Sequence, residues 1–286
     1  MIKEKAYAKI NLSLDVLGRR ENGYHDVKMI MQSIDLHDEL TLEKTDDGIV
    51  LLLDNAELKA EEESGKENII TKAAKAFFDR TKIKGGVKIN LVKNIPIAAG
   101  MAGGSTDAAA TLRGLNRLYE TGLSTEELEK IGVLIGADVP FCIEGGTKLS
   151  EGIGEILTKL PSPSRTEIVI CKPDINVSTK EVYERFDELK DPFHPDVDAM
   201  AEALKAGNAK SVAKLLGNSL EDVTKSLHPI IGEIEELMEE NGATRAIMSG
   251  SGPTVYAIVA EDKKDGLVTL LKERYPAFYV KGHYYD

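Results

Sequence analysis

Thiols are scarce in this chain. Its 286 residues include two cysteines, Cys142 and Cys171, far apart and in no metal or redox spacing. That predicts a reduced, cytoplasmic setting. Long apolar runs are missing too. None approaches the roughly 18 residues that a membrane span needs, and Met1-Ile2-Lys3-Glu4-Lys5 lacks the apolar core of a signal peptide. Positive charge is in deficit. Lys and Arg number 36 against 48 Asp and Glu, a net charge of −12, which argues against binding nucleic acid through a basic surface. Such a chain repels a polyanion at long range, so any nucleotide site has to be built locally from lysines, backbone amides and a divalent cation. His37, His194, His228 and His283 stand in no metal-binding spacing and read as surface or structural groups. The run Glu61-Glu62-Glu63 reads as a solvated loop.

What is present is an ordinary apolar content of 42% on a length that suits two domains, 1–160 and 161–286. Pro161-Ser162-Pro163-Ser164 is the expected connector. Residues 6–16 alternate: Ala6, Ala8, Ile10, Leu12, Leu14 and Val16 fall on one face, and Tyr7, Lys9, Asn11, Ser13 and Asp15 on the other. This period of two predicts a strand with one buried face. Residues 39–44 and 49–53 are further strand candidates, and Asp47-Gly48 between them signals a hairpin. Ile69, Ile70, Ala73, Ala74, Phe77 and Phe78 repeat at helical spacing. Ser124 with Glu127, and Ser178 with Glu181, form capping boxes that open helices. Gly136 closes the first of these, and Pro140 delays any new one. Helices and strands mix in both halves without strict βαβ repetition, which predicts an α+β fold.

The most informative segment runs Asn94-Ile95-Pro96-Ile97-Ala98-Ala99-Gly100-Met101-Ala102-Gly103-Gly104-Ser105-Thr106-Asp107. A predicted strand enters a loop of small residues, which enters a helix starting near Ser105. Small residues let backbone N–H groups approach a ligand closely, and a helix N-terminus adds partial positive charge. Together they predict an anion site, most often for phosphate. No Gly-Lys-Ser/Thr follows the glycines, their spacing is not G-x-G-x-x-G, and the protein-kinase motifs are absent.

The loop resembles the signature loop of the GHMP kinases, which wraps the ATP phosphates. Two other segments match that family in order: Ala8-Lys9-Ile10-Asn11-Leu12 and Met248-Ser249-Gly250-Ser251-Gly252-Pro253-Thr254. Gly23-Tyr24-His25 and Gly136-Ala137-Asp138-Val139-Pro140 narrow the resemblance to the members that phosphorylate a cytidine diphosphate-linked methylerythritol in non-mevalonate isoprenoid synthesis. The resemblance spans nearly the whole chain. It implies a two-domain GHMP kinase fold, N-terminal ribosomal protein S5 domain 2-like and C-terminal ferredoxin-like. ATP and Mg2+ are the implied cofactors, the partner is that small-molecule substrate with no nucleic acid or membrane, and the state is a monomer or weak homodimer. Homoserine- or mevalonate-type kinases are the alternative, and a non-catalytic nucleotide binder on the same fold is a third reading.

The resemblance also implies roles. Asp138 takes the proton from the substrate hydroxyl, and Lys9 pairs with it. Asn11 positions the substrate alcohol. Pro96, Ala99, Gly100, Gly103, Gly104, Ser105 and Thr106 cradle the ATP phosphates, and Asn68 lies near adenine. Tyr24, His25 and Tyr183 hold the cytosine ring, while Gly250, Ser251 and Gly252 close over phosphates or substrate. Asp107 either caps the helix or helps hold magnesium. Ala102 and Thr106 stand where relatives often carry glycine and serine, so loop function is expected to survive with altered nucleotide affinity.

Overall fold

The computed structural model describes residues 1–163, 167–275 and 277–284, with the backbone alone for 277–283; Ser164 of the expected connector lies outside the described residues. The chain divides into two compact units made of interleaved segments. The first comprises Met1–Ala8, Leu36–Ile97 and Ala102–Gly145, and the second Lys9–Asp35, Ala98–Met101 and Gly146–Asp286. Two long strands, β1 (Ile2–Arg19) and β2 (His25–Thr45), contribute residues to both.

In the first unit β3 (Ile49–Leu53) leads through α1 (Ala56–Glu63) and α2 (Ile69–Thr81) to β4 (Gly86–Val92). The expected hairpin does not form. Asp47-Gly48 does turn, with Gly48 at φ +75°, but β3 pairs in parallel with β4, and β4 pairs antiparallel with residues 39–45 of β2. β4 enters between the two because Gly86 has no side chain: a Cβ there would lie 2.1 Å from the Gly48 carbonyl oxygen. Glu61-Glu62-Glu63 is likewise not a loop, since it ends α1, a helix with no buried residue.

The apolar stripe of α2 buries Ile70, Ala73, Ala74 and Phe77. It packs on α3 (Gly103–Tyr119), which buries Ala108, Ala109, Leu112 and Leu115. α3 lies close on the sheet because Gly114 is bare: a Cβ would meet Leu42 Cδ1 at 2.7 Å. The Ser124–Glu127 capping box opens α4 (Thr125–Gly132) as expected. That helix ends before Gly136, and Pro140 does not delay the next one. It sits in the first turn of α5 (Val139–Glu144), where a missing N–H costs nothing and the fixed φ suits the helix.

In the second unit residues 29–32 of β2 pair with β5 (Thr147–Glu151), which pairs with β6 (Ile156–Lys159). β7 (Glu167–Pro173) is followed by α6 (Thr179–Phe186), α7 (Val197–Lys205), α8 (Ala209–Leu215), the short β8 (Gly217–Asn218), α9 (Glu221–Leu227) and α10 (Ile230–Glu240). Ser178 caps α6 by accepting from the Glu181 N–H. β9 (Ala243–Met248), β10 (Val255–Val259), α11 (Lys264–Arg274) and β11 (Ala277–His283) complete it, and the sheet runs β11-β7-β10-β9. Its β7 and β10 read as continuous apolar runs because Ile168, Val169, Ile170 and Cys171, with Val255, Tyr256 and Ala257, are buried on both faces.

β1 departs from the one-sided strand that its alternation predicts. Lys9, Asn11, Ser13 and Asp15 are buried as well. Polar partners make this tolerable for all but Ser13, whose hydroxyl has none among the described residues. The Tyr256 hydroxyl donates to the Asn11 carbonyl (3.1 Å), and Asp15 Oδ1 takes hydrogen bonds from Ser219 Oγ (2.8 Å) and His194 Nδ1 (2.6 Å). Alternation still describes two chemically different faces, but both are covered.

A buried acidic pair lies on α9 and α10. Lys225 Nζ bonds Glu235 and lies 3.4 Å from Glu221, while Glu235 Oε1 has no hydrogen-bond partner among the described residues. Burial first, and then the Glu221 carboxylate, push the Glu235 carboxyl from 4.5 up to about 9. The folded state keeps that proton after the unfolded chain has released it, so stability falls as pH rises through this window. Glu235→Gln is expected to stabilise the protein, with a gain that grows from pH 5 to pH 8, measured as urea midpoints. A gain that does not change with pH would refute the buried-acid account.

Candidate active site

The glycine loop is held at its start by a buried ion-pair cluster in the first unit. Asp38 Oδ1 accepts from the Asn94 N–H (2.6 Å) and the Ile95 N–H (2.7 Å). Lys93 Nζ bonds Asp38 Oδ2 and, at 2.8 Å, Asp107 Oδ2. Asp107 is therefore not a helix cap. α3 starts from Ala102 with no side-chain cap, and Asp107 points into the protein. Burial pushes its carboxyl well above the usual carboxylate range, against the pull of Lys93 and with Asp38 adding to the rise. Lys93 itself is raised: burial opposes its charge, but Asp107 and Asp38 outweigh that cost.

An uncapped helix start leaves first-turn N–H groups for a ligand. Gly104 is exposed there and Ser105 half-buried. Thr106 is fully buried; its hydroxyl donates to the Tyr7 carbonyl (2.7 Å) and its N–H to the Ala102 carbonyl (2.9 Å). It is not available to a phosphate as the sequence suggested, because both of its donors serve the helix and β1. Ala102 sits at φ +56°, a left-handed conformation that costs an alanine about 1–2 kcal/mol and a glycine little. Pro96 is half-buried and Ala99 buried, so neither offers more than backbone and van der Waals surface. Asn68 is the N-cap of α2, its side-chain oxygen accepting from the Ile70 N–H at 2.9 Å.

In the second unit residues 98–101 meet the 249–252 turn. Ser249 Oγ donates to the Gly100 carbonyl (3.1 Å). Gly100, at φ +71°, has no room for a side chain, since a Cβ would lie 2.4 Å from the Ser249 carbonyl oxygen. A Cβ on Gly250 would lie 3.1 Å from the Gly100 carbonyl oxygen. Backbone approach therefore demands these two glycines independently of any ligand. Behind the turn, Asn218 donates both amide hydrogens, to the Met248 and Gly250 carbonyls (2.9 and 2.8 Å), while its oxygen accepts from the Leu220 N–H. Glu221 accepts from the Met248 N–H, Thr224 donates to the Ser251 carbonyl, and Thr179 and Ser251 share a hydroxyl hydrogen bond of 2.8 Å. Sequence reasoning missed Asn218 and Glu221. They belong to no motif, and only tertiary folding brings them beneath the turn.

On β1, Lys9 Nζ donates to Asn11 Oδ1 (2.8 Å), and Asn11 Nδ2 donates to Met29 Sδ (3.3 Å). Lys9 is only 5% exposed and Asn11 1%, so this is no ordinary surface lysine. The shared face that alternation predicts for the two is realised as a direct contact. In the first unit Asp138 is the N-cap residue of α5, but its side chain makes no cap hydrogen bond. α5 is tethered from its far end, where Arg113 donates to the Cys142 and Ile143 carbonyls. A Cβ on Gly136 would stand 3.9 Å from Ser105 Oγ, so the Asp138 turn lies beside the start of α3.

The three candidates for the cytosine pocket belong to the second unit, and two of them meet. Tyr24 stands on a tight turn closed by Arg20 and Gly23 and is 58% exposed. His25 and Tyr183 are in ring contact, with centroids 4.7 Å apart. Asp187, one turn beyond Tyr183, accepts from His25 Nε2 at 2.8 Å. Tyr183 is thereby half-buried against a histidine rather than in an apolar core.

The family model described as GHMP kinases N terminal domain matches residues 68–146, and the one described as GHMP kinases C terminal matches residues 200–279. The chain is 48% identical to a 4-diphosphocytidyl-2-C-methyl-D-erythritol kinase of Lachnospira eligens, over 92% of this chain and 90% of that protein. The crystal structure of a 4-(cytidine 5'-diphospho)-2C-methyl-D-erythritol kinase matches with a TM-score of 0.83 and 31% identity over 100% of both chains. A homoserine kinase from Cytophaga hutchinsonii, 17% identical with a TM-score of 0.78 over 98% of this chain and 93% of that one, shares the fold.

Proposed function

The chain belongs to the GHMP kinases, among the 4-diphosphocytidyl-2-C-methyl-D-erythritol kinases, and we infer from that premise that it transfers the γ-phosphoryl group of ATP to the 2-hydroxyl of 4-diphosphocytidyl-2-C-methyl-D-erythritol. The observation that carries the choice of substrate is the Tyr24, His25 and Tyr183 group: homoserine and mevalonate have no base for it to hold.

Phosphoryl transfer needs an aligned nucleophile and neutralised phosphate charge. Asp138 is the base. A carboxylate is weak in that role, with an ordinary pKa of about 3.9, but it serves if it orients the hydroxyl, whose proton becomes acidic as the new P–O bond forms. Lys9, held by Asn11, supplies positive charge to the reacting oxygens, and Asn11 orients the alcohol. The open N–H groups at the start of α3, the Ser105 hydroxyl and the backbone of Gly100, Gly103 and Gly104 receive the ATP phosphates, with Asn68 on the adenine side. Gly250, Ser251 and Gly252 contribute backbone from the turn that Asn218 supports.

Magnesium is ordinarily held by one or two carboxylates with phosphate oxygens and waters. The described residues hold no group of three metal-binding side chains, and the Asp107 carboxylate is engaged by Lys93. That donor set fits an ion arriving on the nucleotide rather than one caged by protein. Cys142 and Cys171 are buried and joined in no disulfide, which suits a reducing cytoplasm. A boundary at 160/161 between family domains remains our proposal, as does a monomer or weak homodimer.

The test is incubation with Mg-ATP and the cytidylyl substrate, with homoserine and mevalonate in parallel, reading ADP and phosphorylated product. Product with the cytidylyl substrate alone is expected; product with another alcohol alone would overturn the substrate assignment. Tyr24→Ala is expected to raise KM for the cytidylyl substrate about tenfold, the equivalent of one lost stacking contact. A rise confined to the KM for ATP would remove Tyr24 from the base pocket.

A further inference from the structure

We propose that Asp187 determines base specificity by fixing which nitrogen of His25 carries the proton. The inference rests on the reading of His25 as the base contact. Asp187 is not part of any motif in the chain. It closes α6 as its C-cap residue, four positions after Tyr183, so both side chains leave the helix on one face. Tyr183 covers the imidazole ring, and Asp187 holds its edge. Arg19 Nη1 lies 3.5 Å from the other carboxylate oxygen.

An ionised carboxylate only accepts hydrogen bonds. Nε2, 2.8 Å from Asp187 Oδ1, must therefore be the protonated nitrogen. A neutral imidazole so held presents a lone pair at Nδ1, and Nδ1 has no hydrogen-bond partner among the described residues. The His25 side chain is only 9% exposed, so a mismatched partner there is poorly rescued by water. The lone pair accepts from the 4-amino group of a cytosine. A uracil places its O4 carbonyl at the same point, and two acceptors face each other. Sites built to hydrogen-bond a substrate group reject analogues that leave the site's own group unpaired far more strongly than apolar pockets reject a change of size. The carboxylate is thus a positioning residue. It need not touch substrate, because it acts through the tautomer of the ring it holds.

The test compares the cytidylyl substrate with its uridylyl analogue at pH 8, above the ordinary imidazole range near 6.5. The wild type is expected to prefer the cytidylyl form by roughly 100-fold or more in kcat/KM. In Asp187→Asn the amide can accept from Nε2–H or donate to Nε2, so both tautomers are accommodated. That variant should lose at least about tenfold of the preference through KM for the nucleotide-linked substrate, with KM for ATP unchanged. Imidazole 15N shifts should report the Nε2–H tautomer in the wild type and a mixture in Asp187→Asn, a readout that a purely structural role would not move. A wild-type ring protonated at Nδ1, or a tautomer unaltered by the substitution, would overturn the role of Asp187. A changed tautomer with unchanged base preference would also overturn it. His25→Ala separates the causes: if KM for the cytidylyl substrate then stays put, the reading of His25 as base contact has failed instead.

Discussion

Asp138→Asn is expected to lower kcat by roughly 10²–10⁴-fold while KM for ATP and for the alcohol changes little. The substitution is nearly isosteric. Asn and Asp are equally good at an N-cap position, and here the side chain makes no cap hydrogen bond that could be lost. α5 keeps its other supports: Pro140 in its first turn and Arg113 on its last carbonyls. The variant should therefore fold and melt like the wild type, so lost turnover reports lost chemistry. An amide can still orient a hydroxyl by accepting its hydrogen bond, but it cannot carry the proton away. Turnover within a few-fold of wild type, measured in single-turnover assays, would mean that Asp138 orients rather than deprotonates.

Gly100→Ala carries the second large effect. The new Cβ would stand 2.4 Å from the Ser249 carbonyl oxygen and 3.0 Å from that of Gly252, at φ +71°. Both obstacles are backbone, so neither can rotate aside. The left-handed conformation alone costs about 1–2 kcal/mol, and parting the two segments adds the Ser249 hydrogen bond, about 1 kcal/mol. At roughly 2–4 °C per kcal/mol for a chain of this order of length, Tm should fall by several degrees, and KM for ATP should rise at least about tenfold as the loop opens. Gly104→Ala is the control. Its Cβ would meet only Ile69 Cγ2 at 3.6 Å, an ordinary contact inside a helix that alanine favours. Stability should hold or rise there, so a raised KM for ATP in that variant measures how closely the nucleotide itself approaches. Unchanged Tm and KM in Gly100→Ala would refute the close-approach account.

Much of the site was legible because its signals are local. The Ser124–Glu127 box, the entry of the small-residue loop into a helix and the shared strand face of Lys9 and Asn11 all depend on residues within four positions of each other. Tyr24-His25 is likewise a short motif. Asp107 was harder. Its place just inside a helix expected to start near Ser105 suggests a cap, and only the arrival of Lys93 and Asp38 turns it inward. Thr106 shows the same limit, since a loop hydroxyl reads as a ligand contact until the Tyr7 carbonyl is found against it.

The sequence by itself determined the helix and strand periodicities, the entry of a small-residue loop into a helix and, through three separated motifs, the kinase family. These are short-range patterns, written in the order of side chains along the chain. Tertiary structure decided which strands are neighbours, so that β4 rather than β3 lies against β2. It decided that both faces of β1 are covered, that Asn218 stands behind the Gly250 turn and that Asp187 holds the edge of His25. Those outcomes depend on segments far apart in sequence, where each pairing is selected by the packing and hydrogen bonding of the whole unit and by the close approach that a missing Cβ at Gly86 or Gly100 permits.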